Sequence, residues 1–393
     1  MKFKIKSIMQ NKTKIKIPDP IWSSNLANII LDLEKLRSKK LYSKVPPYVF
    51  YQLKEIFQIL ETLGSARIEG NNTTLSEYVE NIIEGEMKKK EEQEISNLDE
   101  AIDYIEKNVT QETIFSEDFI FNLHRIVTKG LIAPPKGEGS NTPGKLREVN
   151  VEIRGSLHNP PNCAAIHYFF KEFLDFINYP FAEQYQLLMV AIAHHRFAYI
   201  HPFDNANGRM GRLLNYALLI RLGFRVKEGR IINPSAIFYI NRDKYYDMLG
   251  KADSLKDDDV LEWAEYFLLG LKNEIEKIDN LLNIEYVREE ILLPAFKFAL
   301  SRENITEQEF KILKYVIYKE GMTIKSEELS NFGITKSVQK ARTMEKLKNK
   351  KMVSSIREGG RIYKISFANN YLLRGVMNSL GEQGFVSDFL NKR

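Results

Sequence analysis

His201-Pro202-Phe203-Asp204-Asn205-Ala206-Asn207-Gly208-Arg209-Met210-Gly211-Arg212 is the stretch on which the reading of this chain turns. It reads as a loop running into a helix. Residues 182–199 carry helical periodicity, and Pro202 restricts His201 to extended geometry, so the first helix is expected to stop there. Asn205, Asn207 and Gly208 are turn formers, and from Gly208 the pattern is helical again until Gly223 closes it. A helix N-terminus offers unpaired N–H groups and a partial positive charge, which suit an anion. Arg209 and Arg212 share one face of the first turn, where cations oppose the helix dipole but can fork around a polyphosphate. A neutral His201 at the other lip can take a proton from an attacking hydroxyl. Singly, these residues read as a satisfied His at a helix end and two solvated arginines. Together, in this spacing, they point to phosphoryl or nucleotidyl transfer from a nucleoside triphosphate.

The dodecamer resembles the signature of the Fic (Fido) family, His-x-Phe-x-acid-Gly-Asn-Gly-Arg-x-x-Arg, with His201, Phe203, Asn207, Gly208, Arg209 and Arg212 in register. The resemblance implies a protein adenylyltransferase that moves AMP from ATP, with Mg²⁺ or Mn²⁺, to a Ser, Thr or Tyr hydroxyl of a protein. It casts His201 as the base and Phe203 as the anchor of the loop. Asn207 and the Gly208 amide would hold phosphate oxygens, and Arg209 and Arg212 the outer phosphates. Two positions depart from the signature. Its metal-holding acid is Asn205 here, a weaker ligand for a hard cation, and its first Gly is Ala206, which matters if φ must be positive. Asp204 is adjacent, but its side chain is expected to point elsewhere.

Upstream, Ser65-Ala66-Arg67-Ile68-Glu69-Gly70-Asn71 sets Ser65 and Glu69 on one face at the end of a helix over 48–68. A carboxylate there opposes the helix dipole, so an Arg partner would help explain it; the plain alternative is a solvated C-terminal turn. In the family, Ser/Thr-x-x-x-Glu-Gly/Asn marks a self-inhibitory helix. The resemblance therefore pairs Glu69 with Arg212 and makes Ser65, Glu69 and Gly70 regulatory. After the signature, it makes Tyr239 and Asn241 candidates for the adenine and ribose pocket.

Composition bounds the rest. A chain of 393 residues with a net charge of +5 suggests two or three domains and by itself neither demands nor excludes nucleic acid. The lone Cys163 excludes a disulfide framework and fits a reducing compartment. No signal peptide or membrane-spanning run is visible, so a cytoplasmic protein without a membrane partner is expected.

The expected fold is mainly α: a Fic-type helical bundle with a small β-hairpin flap, then a winged helix-turn-helix. The expected parts are an N-terminal helical region over 1–110 carrying the inhibitory helix, a catalytic core over 111–290, and a C-terminal domain over 300–393. Residues 1–20 read as an extended arm. Thr74 with Glu77 makes a capping box, and Ser116 caps a helix that carries His124, read as a packed histidine. Val149-Asn150-Val151-Glu152-Ile153 alternates and reads as a strand of the flap, near Lys145, Arg147 and His158, which receive no role. His194 and His195 read as packing residues. Residues 234–250 read as one helix. In the tail, helix 307–319, a short helix 326–332, basic helix 335–350 and a hairpin over 352–367 follow the order of a winged helix-turn-helix. Lys336, Lys340, Arg342, Lys346, Lys348, Arg357 and Arg361 suit DNA phosphates; a protein-binding or dimer-forming wing is the alternative.

Two functions stay open at this point: an auto-inhibited adenylyltransferase, acting on another protein or on itself, or a DNA-binding regulator with a weakly catalytic or non-catalytic nucleotide-sensing loop. A variant of the first removes AMP instead. A homodimer fits either.

Overall fold

The computed structural model describes residues 15–38, 44–85, 90–153, 156–224, 234–357 and 360–392. Most of the arm expected over 1–20 lies outside them. The first helices are α1 (Asn25–Ser38), α2 (Pro47–Ile68), α3 (Leu75–Glu84), α4 (Lys90–Asn108) and α5 (Glu117–Thr128). After a long irregular stretch come α6 (Ile166–Asn178), α7 (Glu183–Ile200), α8 (Asn207–Arg221), α9 (Ala236–Tyr239), α10 (Arg242–Ala252) and α11 (Asp257–Asp279). Local chemistry sets several ends. Pro47 opens α2 where a missing N–H costs nothing. The Thr74–Glu77 capping box starts α3, and left-handed Gly85 ends it. Ser116 caps α5.

The centre is the α7–α8 hairpin. From Leu187 to Phe197 nearly every side chain of α7 is buried, and α8 is buried from Arg209 to Ile220. Helices buried on all sides lie inside a bundle, and α2, α4, α5, α6 and α11 pack around these two. The loop joining them is thus fixed at both ends by the core.

Beyond α11, a π-helical turn (Val287–Leu292) runs into α12 (Leu293–Ser301). Pro294 explains the widened turn, because it has no N–H and its ring crowds the carbonyl four residues back. Then come α13 (Glu307–Tyr318), opened by a Thr306–Glu309 capping box, and α14 (Ser337–Asn349). β1 (Thr323–Lys325), β2 (Val353–Ser355) and β3 (Ile362–Ile365) form an antiparallel sheet in the order β1-β3-β2, with Ile324 opposite Tyr363 and Ser354 opposite Lys364. The expected helix over 326–332 is a 3₁₀ turn, and β1 was not foreseen. A last helix, α15 (Leu372–Glu382), packs against α12.

Three expectations are corrected. Residues 149–153 form no strand: the Val149 carbonyl is taken by the Arg147 guanidinium, 3.0 Å away, and no ladder partner lies alongside among the described residues. Residues 234–250 are two helices, because Asn241 leaves helical geometry and caps the second. His201 is left-handed (φ 49°, ψ 61°) instead of extended, and its N–H closes onto the Phe197 carbonyl at 3.0 Å. Proline bars right-handed helix from the residue before it, and a left-handed cap also ends the helix.

Candidate active site

Phe203 anchors the loop. It is fully buried and stacks on His124, with ring centroids 3.9 Å apart and planes 6° from parallel. Such burial contributes about 1.5–3 kcal/mol. The Gly144 N–H donates to His124 Nδ1 at 2.8 Å, so Nε2 carries the hydrogen and donates to the Asn205 carbonyl at 3.2 Å. Burial pushes this imidazole down to about 4, which keeps it neutral. Asp204 points away from the site, as expected. Its carboxylate accepts from Ser140 Oγ at 2.5 Å and the Asn141 N–H at 2.7 Å, tying down the preceding loop.

Asn207 closes the loop on itself. Its side chain accepts from the Phe203 N–H and donates to the Phe203 carbonyl, both at 2.9 Å. These bonds engage Oδ1 and one of the two Nδ2 hydrogens, so the side chain shapes the loop. Ala206 has φ 62°, where an L-residue costs roughly 1–2 kcal/mol, so Ala occupies a position that favours Gly.

His201 sits at the turn. Its Nδ1 donates to the Ala198 carbonyl at 3.2 Å, which leaves the Nε2 lone pair free to accept a proton. Burial pushes the ring down to about 4, although the Glu69 charge pulls upward. Arg147, to which the sequence assigned no role, fixes the backbone here. Its Nε donates to the His201 carbonyl at 2.8 Å, its other nitrogens to Val149 O and Pro161 O, and its amide to Pro202 O at 3.0 Å.

The two arginines of α8 are both engaged. Arg212 donates from Nε to Ser65 Oγ at 2.8 Å, and from a terminal nitrogen to Ser65 O at 3.0 Å and Glu69 Oε1 at 2.7 Å. Burial pushes the Glu69 carboxyl up, but Arg212 and Arg209 outweigh it, and the net shift is downward, so Glu69 is ionised. A Cβ on Gly208 would overlap Glu69 Oε1, so the carboxylate lies on the first turn of α8. Gly70, with φ 104°, turns the chain away directly afterwards. Arg209 is 0% exposed and meets Glu94 Oε1 at 2.7 Å, Glu138 O at 2.7 Å and Glu138 Oε2 at 3.3 Å; its Nε is buried with no hydrogen-bond partner among the described residues. Glu94 and Glu138 were missed. No local pattern marks either carboxylate.

Tyr239 and Asn241 do not join this group. The Tyr239 ring packs on Gly64 of α2 and near-parallel to Phe389, 6.4 Å away, while Asn241 Oδ1 caps α10 by accepting from the Lys244 N–H at 3.1 Å. His194 and His195 are packing residues, as expected. His194 accepts from Asn215 Nδ2 at 2.6 Å and donates to Tyr245 Oη at 2.9 Å, and His195 donates to Asp253 at 2.9 Å.

Residues 114–219, which span this loop and the helices that hold it, match the family model for the Fic/DOC family. That segment is similar to a Fic/DOC domain. Among curated relatives, a protein adenylyltransferase Fic from Drosophila willistoni is 31% identical over 195 residues, covering 48% of this chain and 36% of that protein. One from Nematostella vectensis is 32% identical over 197 residues, covering 48% and 42%. The chain thus spans less than half the length of these relatives. The fold is shared with a Fic family protein from Desulfovibrio desulfuricans G20 (TM-score 0.55, 18% identity, 89% of this chain and 98% of that one) and a Fic domain-containing signaling protein from Bacteroides thetaiotaomicron (TM-score 0.52, 18% identity, 66% and 98%). Residues 65–70, which seat Glu69 on the first turn of α8, precede the matched Fic segment. Among the described residues no helix is long and apolar enough to cross a membrane.

Proposed function

We propose that this protein is an auto-inhibited adenylyltransferase, moving AMP from ATP to a hydroxyl of another protein or of this chain itself. One observation carries the reading: the first turn of α8 and Arg212 already cradle an anion, the Glu69 carboxylate, where a triphosphate would lie. With Glu69 displaced, Arg212 is free for outer phosphate oxygens, and the partnerless Nε of Arg209 has an acceptor to find. The target hydroxyl attacks the α-phosphorus, its proton passes to His201 Nε2, and the bond to the pyrophosphate oxygen breaks. Negative charge grows on phosphate oxygens that face the α8 amides and the arginines.

A divalent cation suits the donors only in part. Asn205 brings no carboxylate, and both oxygens of Asp204 are committed to Ser140 and Asn141. Glu138, with its side chain 47% exposed, reaches within 3.5 Å of Asn205 Nδ2. Mg²⁺ commonly needs one or two carboxylates plus substrate phosphates, so Glu138 and Asn205 would hold it. The cation would neutralise charge on the leaving phosphates.

The test is transfer of α-labelled AMP from ATP, with Mg²⁺ and with Mn²⁺, by wild type, Glu69→Gly, and Glu69→Gly with His201→Ala. Label appearing with Glu69→Gly and absent from the double variant is the expected result. No label from Glu69→Gly with either metal overturns the reading. Faster loss of AMP from a pre-labelled target in wild type than in Glu69→Gly marks removal as the reaction instead.

A second reading concerns α14. Lys336, its N-cap residue, and Gln339 and Arg342 on the helix are spaced three apart and all exposed. They suit DNA phosphates in a winged-helix arrangement. Lys346 is less suited, because it pairs inward with Glu309 at 3.2 Å. Salt-sensitive DNA retention lost in Lys336→Ala/Arg342→Ala supports this role; unchanged retention removes it. The reducing-compartment chemistry of a single cysteine supports a cytoplasmic setting.

A further inference from the structure

The end of α2 that bears Glu69 is also held from its other side. Arg67 lies two residues earlier, so its side chain leaves the helix roughly opposite to Glu69. It is 8% exposed, and among the described residues its hydrogen bonds go to main-chain carbonyls: Thr73 at 2.7 Å, Phe389 at 3.1 Å, and Lys392. Its guanidinium also lies 5.3 Å from the centre of the Phe389 ring. Phe389 stacks on Tyr239, which in turn fits against Gly64 of α2 so closely that a Cβ there would overlap the ring. Further along, Phe385 meets Phe57 edge-on at 5.6 Å, Leu390 is fully buried, and Ser76 donates to Asn391 at 3.2 Å. Residues 385–392 therefore run beside α2 from Phe57 to Arg67.

The same contacts continue toward the second arginine. The Thr73 N–H donates to Asn71 Oδ1 at 2.9 Å, Asn71 Nδ2 donates to Glu94 Oε2 at 2.8 Å, and Glu94 Oε1 accepts from Arg209. A last helical turn without tertiary contacts frays easily, and left-handed Gly70 lends no stiffness to this one. Arg67 and the segment that it grips hold the turn from one side, while Arg242 Nε donates to the Ile68 carbonyl at 3.2 Å from another.

We propose that residues 385–392, through Arg67, latch the end of α2 and so position Glu69 over Gly208. Arg67 is a positioning residue for the brake, and withdrawal of the segment releases Glu69 from Arg212. The latch connects to α15, whose Arg374 is paired with Glu80 of α3, so displacement of α15 reaches the nucleotide site through main-chain hydrogen bonds. This inference rests on the reading of Glu69 as a brake.

The test compares full-length Arg67→Gln and Phe389→Ala, each with Glu69 intact and with Glu69→Gly. The readouts are the Kd for ATP, which needs no turnover, AMP transfer, and hydrogen exchange of the amides of residues 65–71. With Glu69 present, each variant is expected to tighten ATP binding and raise transfer about tenfold, as loss of one charged hydrogen bond allows, and to speed exchange. In the Glu69→Gly background neither changes ATP binding or transfer. Folded variants that leave binding and transfer unchanged with Glu69 present, or lower them in both backgrounds, overturn the latch. If Arg67→Gln does not fold, Phe389→Ala decides alone. A failure of the brake reading looks different: Glu69→Gly itself would then alter neither ATP binding nor transfer.

Discussion

The Glu69 carboxylate rests against Gly208 so closely that a methyl group on residue 208 would overlap Oε1. The absence of a side chain at 208 thus serves the brake and, once Glu69 has moved, the phosphate. Gly208→Ala is therefore expected to disturb Glu69 without raising activity, because the same methyl fills the place of the incoming oxygen. In the Glu69→Gly background, Gly208→Ala should weaken ATP binding about tenfold, the loss of roughly one charge-assisted hydrogen bond. Calorimetric titration of the two proteins with ATP checks this; equal Kd values would show that the phosphate does not approach residue 208.

Arg147 illustrates a different dependence. One side chain, 1% exposed, holds the carbonyls of Val149, Pro161 and His201. Arg147→Ala leaves those acceptors without their donor and should cost about 3 kcal/mol or more in stability. Chemical denaturation measures it. Arg147→Lys, which keeps the charge but loses the fork, should recover less than half of the loss.

Much of this site was legible because its chemistry is local. The loop and the two flanking helices follow from periodicity and turn formers, whereas the Glu69–Arg212 pairing, across 143 positions, was implied only by the family resemblance. What escaped depends on contacts distant in sequence. Glu94 meets Arg209 across 115 positions, Arg67 meets Lys392 across 325, and nothing beside either residue announces the partner. Asn207 reads in the sequence as a turn former, and that it also closes the loop through both backbone groups of Phe203 shows only in the folded chain. The strand expected over 149–153 failed because alternation signals a ladder only where a partner strand exists. Thr323–Lys325 was missed because it is short and precedes its partner, Ile362–Ile365, by a whole helix.

Glu138 is the carboxylate best placed to offset the neutral Asn205. In Glu69→Gly, Glu138→Gln is expected to weaken Mn²⁺ binding to the ATP complex about tenfold or more, while metal-free ATP binding holds or tightens as Arg209 loses a competing acceptor. Adding Asn205→Asp should restore the Mn²⁺ affinity. Electron paramagnetic titration of free Mn²⁺ reads this without turnover. Equal Mn²⁺ affinity with and without Glu138 would exclude it as a ligand.

The imidazoles make the last prediction. Burial pushes His124 and His201 down to about 4 and His194 to about 3, from an ordinary value of 6.5. A depressed histidine is neutral in the folded chain, while the unfolded chain takes up its proton near pH 6.5. Its contribution to stability is therefore fully present above pH 6.5 and is lost as pH falls toward 4, at up to about 1.4 kcal/mol per pH unit per ring. Glu61 acts in the opposite sense. Burial raises it to about 7, so its contribution falls as pH rises from 4.5 to 7. A melting curve sums these terms, and the individual rings are better followed by nuclear magnetic resonance. The His124, His194 and His201 ring signals should stay in the neutral form down to pH 5. Transfer by Glu69→Gly should hold from pH 8 to pH 6 and fall only below that. Because the Glu69 charge favours the imidazolium, its removal moves the His201 titration lower still. An acid limb centred at or above pH 6.5 would mean that a group other than the half-buried His201 accepts the proton.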